Sequence, residues 1–235
     1  MNMSRHGSVA ASVLLFFAPA VHAQTRPAVV ELFTSEGCSS CPPAEAFIGE
    51  LAQRDDILAL SFHVDYWDDL GWRDRFALGD SVMRQRIYSQ ASRRTSVYTP
   101  EVVIDGRDDY LGSDRRGIAN ALTGIRSGVP IEISLSGAEV LVNLGAPEPA
   151  VPSDIVLVAY LHKAVSAIGR GENAGRTLQE FNVVRSIRTL GRWSGNIVSL
   201  HVPLSSLPGD ATDVAVLVQS VGQTGIIGAA TRKLQ

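Results

Sequence analysis

Two hydrophobic spacings alternate in the first half of the chain, and only one of them continues into the second. Ala28 to Thr34 (AVVELFT) and Ile57 to Val64 (ILALSFHV) are nearly continuous apolar runs, the pattern of strands covered on both faces. Between them, Ala44 to Gln53 brings Phe47, Ile48 and Leu51 together at helical spacing. Strand, helix, strand in this order predicts a βαβ unit with a right-handed crossover. A polar stretch from Asp80 to Arg94 predicts a second helix. Val102 to Ile104, Asp105-Gly106 and Asp109 to Leu111 predict strand, turn and strand. Ser113 to Ile125 predicts a third helix, with Ser113 or Asp114 as its N-cap.

Ser127-Gly128-Val129-Pro130 is the expected domain boundary. Beyond it come seven strand-like segments: IEISLSG, AEVLVNLG, DIVLVAYLHKAV, FNVVRSIRTL, NIVSLHVPL, DVAVLVQSV and GIIGAATRKL. Turns separate them and no helical pattern intervenes, which predicts an antiparallel sandwich-like β domain over residues 129–235. The Pro-rich segment at 146–154 then joins two of its strands.

The first 23 residues change the picture of where the chain works. Arg5, a short apolar run from Val9 to Ala18 and the small-residue site Val21-His22-Ala23 form an export-signal pattern. The expectation is cleavage after Ala23 and a periplasmic or secreted mature chain of 212 residues (235 less 23). Losing Arg5 shifts the formal net charge from −3 to −4. That balance does not point to nucleic acid or an anionic membrane, and no apolar run reaches the ~18 residues a spanning helix needs.

Export sets the chemistry open to the only two cysteines, Cys38 and Cys41 in SEGCSSCPPAE. In an oxidising compartment such a pair persists as a disulfide. Three roles fit a C-x-x-C here: a working dithiol, a copper clip and a passive staple. As a dithiol, Cys38 at a helix N-terminus gains from the unpaired N–H groups and the helix dipole. Two features work against it. Glu36 places a carboxylate beside the thiol, and Pro42-Pro43 delays the start of the helix. As a clip, the pair would bind Cu(I) through soft thiolates, with His63 as third ligand. As a staple, so small a loop yields less than the ~3 kcal/mol of a 15-residue loop.

Other candidates cluster around this motif. His63 and Asp65 end the second strand on the same sheet edge as the cysteines, and Asp65 is a candidate proton carrier for Cys41. Trp67 and Trp72 in HVDYWDDLGWRDRF are candidates for an apolar wall shaping a partner groove. In the Gly-rich loop GRGENAGRT, Arg170, Glu172, Asn173 and Arg176 are candidates for a polar cluster facing the first domain. That loop lacks the spacing of a phosphate cradle. The chain has no G-x-S-x-G, and His162 and His201 lie within strand patterns, which argues against a hydrolase.

Strand, C-x-x-C, helix, strand, helix and then YTPEVVIDGRDDYLG resembles the thioredoxin and glutaredoxin order over residues 27–128. That resemblance implies a thioredoxin-like domain followed by the β domain. It makes Cys38 the attacking thiol, Cys41 the resolving thiol and Pro100 a cis proline, with Thr99 free to pair with an extended substrate. It needs no organic cofactor and implies protein thiols or disulfides as partners. The export signal with CSSCPPAE, HVDYWDDLGW, YTPEVVIDG and GENAGRTL also resembles an exported bacterial family, domain of unknown function 1223. The expected function is thiol–disulfide exchange. The alternatives are a periplasmic copper-binding protein and a non-catalytic binding module with a structural disulfide.

Overall fold

The short strand β1 (Gln24–Arg26) leads into β2 (Ala28–Thr34), whose seven residues are all buried. This computed structural model describes residues 24–146, 151–222 and 224–235, so the export signal and its cleavage site lie outside the described residues. Helix α1 (Pro42–Leu51) opens on two prolines, which suit a first turn whose N–H groups have no partner. It returns the chain to β3 (Ile57–His63), parallel to β2 in the register Leu32↔Ser61. Helix α2 (Gly79–Ala91) covers one face of the sheet. β4 (Glu101–Ile104) pairs antiparallel with β2, and β5 (Asp108–Leu111) forms the edge. Helix α3 (Arg115–Ala121) is capped by Asp114, which accepts from the Gly117 N–H. β6 (Arg126–Gly128) pairs back with β1.

Each segment expected to be a strand after Pro130 is one: β7 (Ile131–Ser136), β8 (Glu139–Leu144), β9 (Ser153–Ala167), β10 (Thr177–Trp193), β11 (Val198–Pro203), β12 (Asp213–Ser220) and β13 (Ile226–Lys233). Their assembly overturns the expected fold class, a thioredoxin/glutaredoxin-like domain followed by a separate antiparallel sandwich. β9, β10, β12 and β13 extend the first sheet, giving one mixed eight-stranded sheet in the order β13-β12-β9-β10-β3-β2-β4-β5. β7, β8 and β11 form a separate three-stranded sheet.

The physical reason is the free edge of β3. A strand buried on both faces needs a neighbour on each side, and β10 supplies it through Val183↔Ser61. Two layers then cover the long sheet. One face carries α2 over a continuous apolar layer from Phe33 and Phe62 to Val156, Leu217 and Ile226. The other face carries α1 and α3 on one half and the three-stranded sheet on the other. Alternate residues of β9 serve the two sides, Val156 and Val158 one, Ile155 and Leu157 the other. Among the described residues, no helix is long and apolar enough to cross a membrane.

One buried polar network ties the two halves of the sheet. Arg84 of α2 donates to Glu31 of β2 at 2.7 Å and to the Tyr88 hydroxyl at 2.8 Å. Tyr88 donates to the other Glu31 oxygen and accepts from Gln219 of β12 at 2.8 Å. Removing one partner of such a pair leaves an uncompensated buried charge. Arg84→Met is therefore expected to lower stability by about 3–5 kcal/mol in urea unfolding. The double variant Glu31→Met/Arg84→Met should recover most of that loss. Equal losses in the single and double variants would mean that the pair does not act as a unit.

Candidate functional site

The β2 strand ends under α1, and the two cysteines occupy the turn between them. Cys38 and Cys41 form a disulfide, with the Cys41 N–H bonded to the Cys38 carbonyl at 3.2 Å. Cys41 is the N-cap of α1, and its carbonyl accepts the first helical bonds from Ala44 and Glu45. Both cysteines are buried, whereas Ser39 and Ser40 between them are exposed. Ser40 Oγ lies 3.4 Å from Cys38 Sγ.

The cover over Cys38 comes from far along the sequence. β9 and β10 form a long hairpin whose tip, residues 168–176, folds over the disulfide turn. Asn173 is fully buried there and donates to the Glu36 and Cys38 carbonyls at 2.9 Å each. Glu172 accepts from the Ser39 N–H at 3.2 Å, and the Ser39 side chain, with that backbone bond second, holds its pKa below the ordinary value. The tip rests on Trp72: a Cβ on Gly171, where φ is +75°, would sit 3.1 Å from Trp72 Cβ. Glycine meets both the positive φ and the close approach.

Beside Cys41 a cavity of about 440 Å³ opens between α1 and the start of β10. Its lining includes the polar Glu36, Glu45, His63 and Glu180 and the apolar Ala46, Leu178 and Phe181. His63 Nδ1 bonds Asp74 at 2.7 Å, and its Nε2 lies 3.8 Å from Glu45 Oε1. Asp74 also accepts from the Glu36 and Phe76 N–H groups. Ser61 donates to Glu45 at 3.2 Å, Trp72 to Glu36 at 2.5 Å and Ser166 to Glu180 at 3.1 Å. Glu36 Oε1, Glu45 Oε1 and His63 Nε2 are buried without a hydrogen-bond partner among the described residues.

This network sets the protonation states. Burial opposes the charge on His63, but the Asp74 carboxylate and its hydrogen bond outweigh that, with Glu45 adding to them, and push the pKa up to about 10. Asp74 is buried too, yet the imidazolium beside it holds its carboxyl below the usual range. Burial raises the Glu45 carboxyl, although His63 pulls the other way. Burial likewise pushes Glu180 up to about 8, only partly offset by His63. At neutral pH the site holds an imidazolium–carboxylate pair and a carboxyl that keeps its proton.

The structure brings together Cys38, Cys41, Glu36, His63, Trp72, Glu172 and Asn173. Trp67 Nε1 bonds Thr99 Oγ1 at 2.8 Å, and the Thr99–Pro100 peptide is cis. A Cβ on Gly112 would sit 2.7 Å from Pro100 Cβ and 2.9 Å from Ala44 Cβ of α1, so Gly112 lies between the two. Asp65, Arg170 and Arg176 are exposed. The buried acid bonded to His63 is Asp74, not Asp65. Glu45, Asp74 and Glu180 escaped the sequence reading. Glu45 carried one usable signal: it lies four residues after Cys41 in the chain, one helical turn on and on the same face. Among the described residues, no group of three or more His, Cys, Asp or Glu side chains is arranged to hold a metal ion.

The family model described as protein of unknown function DUF1223 matches residues 29–219. The crystal structure of protein AGR_C_4864 from Agrobacterium tumefaciens is similar at 32% identity and a TM-score of 0.78, over 91% of this chain and 97% of that one. HBP35 of Porphyromonas gingivalis is similar in fold alone, at 14% identity and a TM-score of 0.61, over 89% of this chain and 76% of that one. No curated protein matches the chain.

The two raised pKa values fix a direction of pH dependence. His63 and Glu180 bind protons more tightly folded than unfolded. The stability Glu180 contributes is full below pH 4.5 and is lost by about pH 8; that of His63 is full below 6.5 and is lost by about 10. Urea midpoints should therefore fall between pH 5 and pH 10, and His63→Gln should flatten the alkaline part of the fall. A flat profile in the parent protein would overturn the charged His63–Asp74 pair.

Proposed function

The chain belongs to the DUF1223 family, and from that premise we propose that it is a thiol–disulfide exchange protein acting outside the cytosol. The observation that carries the reading is the position of the disulfide: its Cys41 end lines a cavity together with the buried titratable groups Glu45, His63 and Glu180. A staple does not call for such surroundings. A ring closed by residues three apart constrains the unfolded chain little, whereas a buried imidazole and carboxyls are costly to keep. Perturbed titratable groups in a cleft mark functional sites.

In exchange, a partner thiolate attacks one sulfur of the disulfide. That bond breaks, a mixed disulfide forms and the other cysteine leaves as a thiolate. A second partner thiol then releases the reduced pair and the oxidised partner. Glu45, one turn beyond Cys41, and His63 line the same cavity as Cys41 and are the candidates to give protons to the pair or take them. Locally, the C-x-x-C between a strand end and a helix start resembles the exchange centre of thioredoxin-like proteins. That likeness of the motif supports the reading without extending to the fold. The export signal in the sequence supports a periplasmic or secreted location, where disulfides persist.

The test is the reduction potential of the pair, equilibrated against glutathione and dithiothreitol buffers. A value between about −120 and −270 mV is expected for a working dithiol, and a value below about −300 mV would overturn the reading in favour of a structural disulfide.

The cover gives a second expectation. Asn173→Ala removes two hydrogen bonds, each contributing on the order of 1 kcal/mol, so reduction by dithiothreitol should accelerate about tenfold or more. Unchanged kinetics would mean that the hairpin tip does not gate the disulfide.

A further inference from the structure

We propose that the cavity beside Cys41 admits low-molecular-weight thiols and disulfides that carry an ammonium group, and that these exchange with Cys41. The inference rests on the exchange reading above and adds the substrate class and the sulfur it meets.

Access decides which sulfur is met. On one side, Asn173 and Glu172 close the turn over Cys38. On the other, Cys41 lines the cavity, whereas Cys38 is not among its lining residues. A volume of about 440 Å³ falls in the range of small-molecule sites, and it does not seat a folded partner.

Charge decides the class. Among the described residues four glutamates, Glu36, Glu45, Glu50 and Glu180, line the cavity and no lysine or arginine does; Glu50 is paired with Arg115 and Glu180 keeps its proton, so Glu36 and Glu45 carry the case. The one cation among the described lining residues, His63, is matched by Asp74 and also faces Glu45. The acidic cluster does not stand alone as evidence. Glu36 Oε1 and Glu45 Oε1 are buried without a hydrogen-bond partner among the described residues, on residues 1% and 5% exposed, with His63 Nε2 3.8 Å from Glu45 Oε1. Buried carboxylate oxygens left open beside a cavity are acceptors awaiting a donor, and an ammonium offers three. It would also offset the burial that disfavours the ionised form of Glu45. Ala46, Leu178 and Phe181 in the same lining suit a short alkyl chain.

The step balances without a further reagent. In the reduced protein the Cys41 thiolate attacks the S–S bond of a diamino disulfide, forming a mixed disulfide and releasing one aminothiol. Cys38 then attacks Cys41 Sγ, re-forming the Cys38–Cys41 bond and releasing the second aminothiol. The two thiol protons pass to the products. The protein is oxidised by two electrons and the small disulfide is reduced by two.

The experiment compares oxidation of the reduced protein by cystamine, bis(2-hydroxyethyl) disulfide and dithiodiglycolate. Each rate is divided by that of free dithiothreitol with the same disulfide, to remove intrinsic reactivity. Cystamine should lead the neutral disulfide by about tenfold, the effect of one partly buried charge pair, and the dianion should trail it. Glu45→Gln should shrink the spread. Cys38→Ser should retain an aminoethanethiol adduct on Cys41, found by mass spectrometry. Equal normalised rates, or an adduct formed only on Cys38 in Cys41→Ser, would overturn the proposal.

Failure of exchange itself is read separately, with 1,4-diaminobutane as a redox-inert probe. Trp72 donates to Glu36, so saturable fluorescence change on titration, lost in Glu45→Gln, supports the cation site even if no disulfide reacts. No response to the diamine overturns it even if exchange is found.

Discussion

The surroundings of the disulfide depend on a kink in β10 at Asn182. That residue has a φ of +48°, and its side-chain amide donates to the Ala59 carbonyl of β3 at 2.8 Å. Asparagine is among the few residues that adopt this backbone readily, and here its amide also satisfies a carbonyl that the ladder leaves free. Past the kink, Val183 pairs with Ser61 and the hairpin belongs to the sheet. Before the kink, β10 parts from β3 and passes over α1, with Phe181 against Gly49. The gap between strand and helix is the cavity, and the tip beyond it reaches Cys38. Straightened at Asn182, the same hairpin would lengthen the sheet and leave the cysteines uncovered.

The sequence made the elements legible and left their partners obscure. Every apolar run after Pro130 is a strand, because alternation and length are local properties. Which sheet a strand joins depends on a free edge elsewhere. The edge of β3 is filled by residues more than a hundred positions later in the chain. Periodicity carries no information on such pairing, which is why a separate sandwich was the natural expectation.

The site divides in the same way. Cys38, Cys41 and His63 were readable from spacing, and the 169–177 loop from composition. Glu45, Asp74 and Glu180 were not. Each sits in a polar context that suits a solvated charge: the acidic side of a helix, a run of charged residues and an alternating strand. Burial changes their chemistry, and burial here is produced by the hairpin crossing from the far half of the sheet. A residue whose environment is built by a long-range contact looks ordinary in its own window.

Burial of the disulfide is compatible with exchange because closure and core are held by different forces. The core beneath is apolar and close-packed on both faces, so opening it would expose large areas at about 25 cal/mol per Å². The tip over Cys38 is polar: it is joined to the turn by Asn173 and Glu172, and most of its other residues are exposed. Net hydrogen-bond contributions are small, and segments held by few apolar contacts open locally well below the global unfolding free energy. The hairpin tip can lift while β10 stays in the sheet beyond Asn182. In the exchange proposed above, Cys38 would be reached by lifting the polar tip and Cys41 through the cavity, two routes of different chemistry to one disulfide.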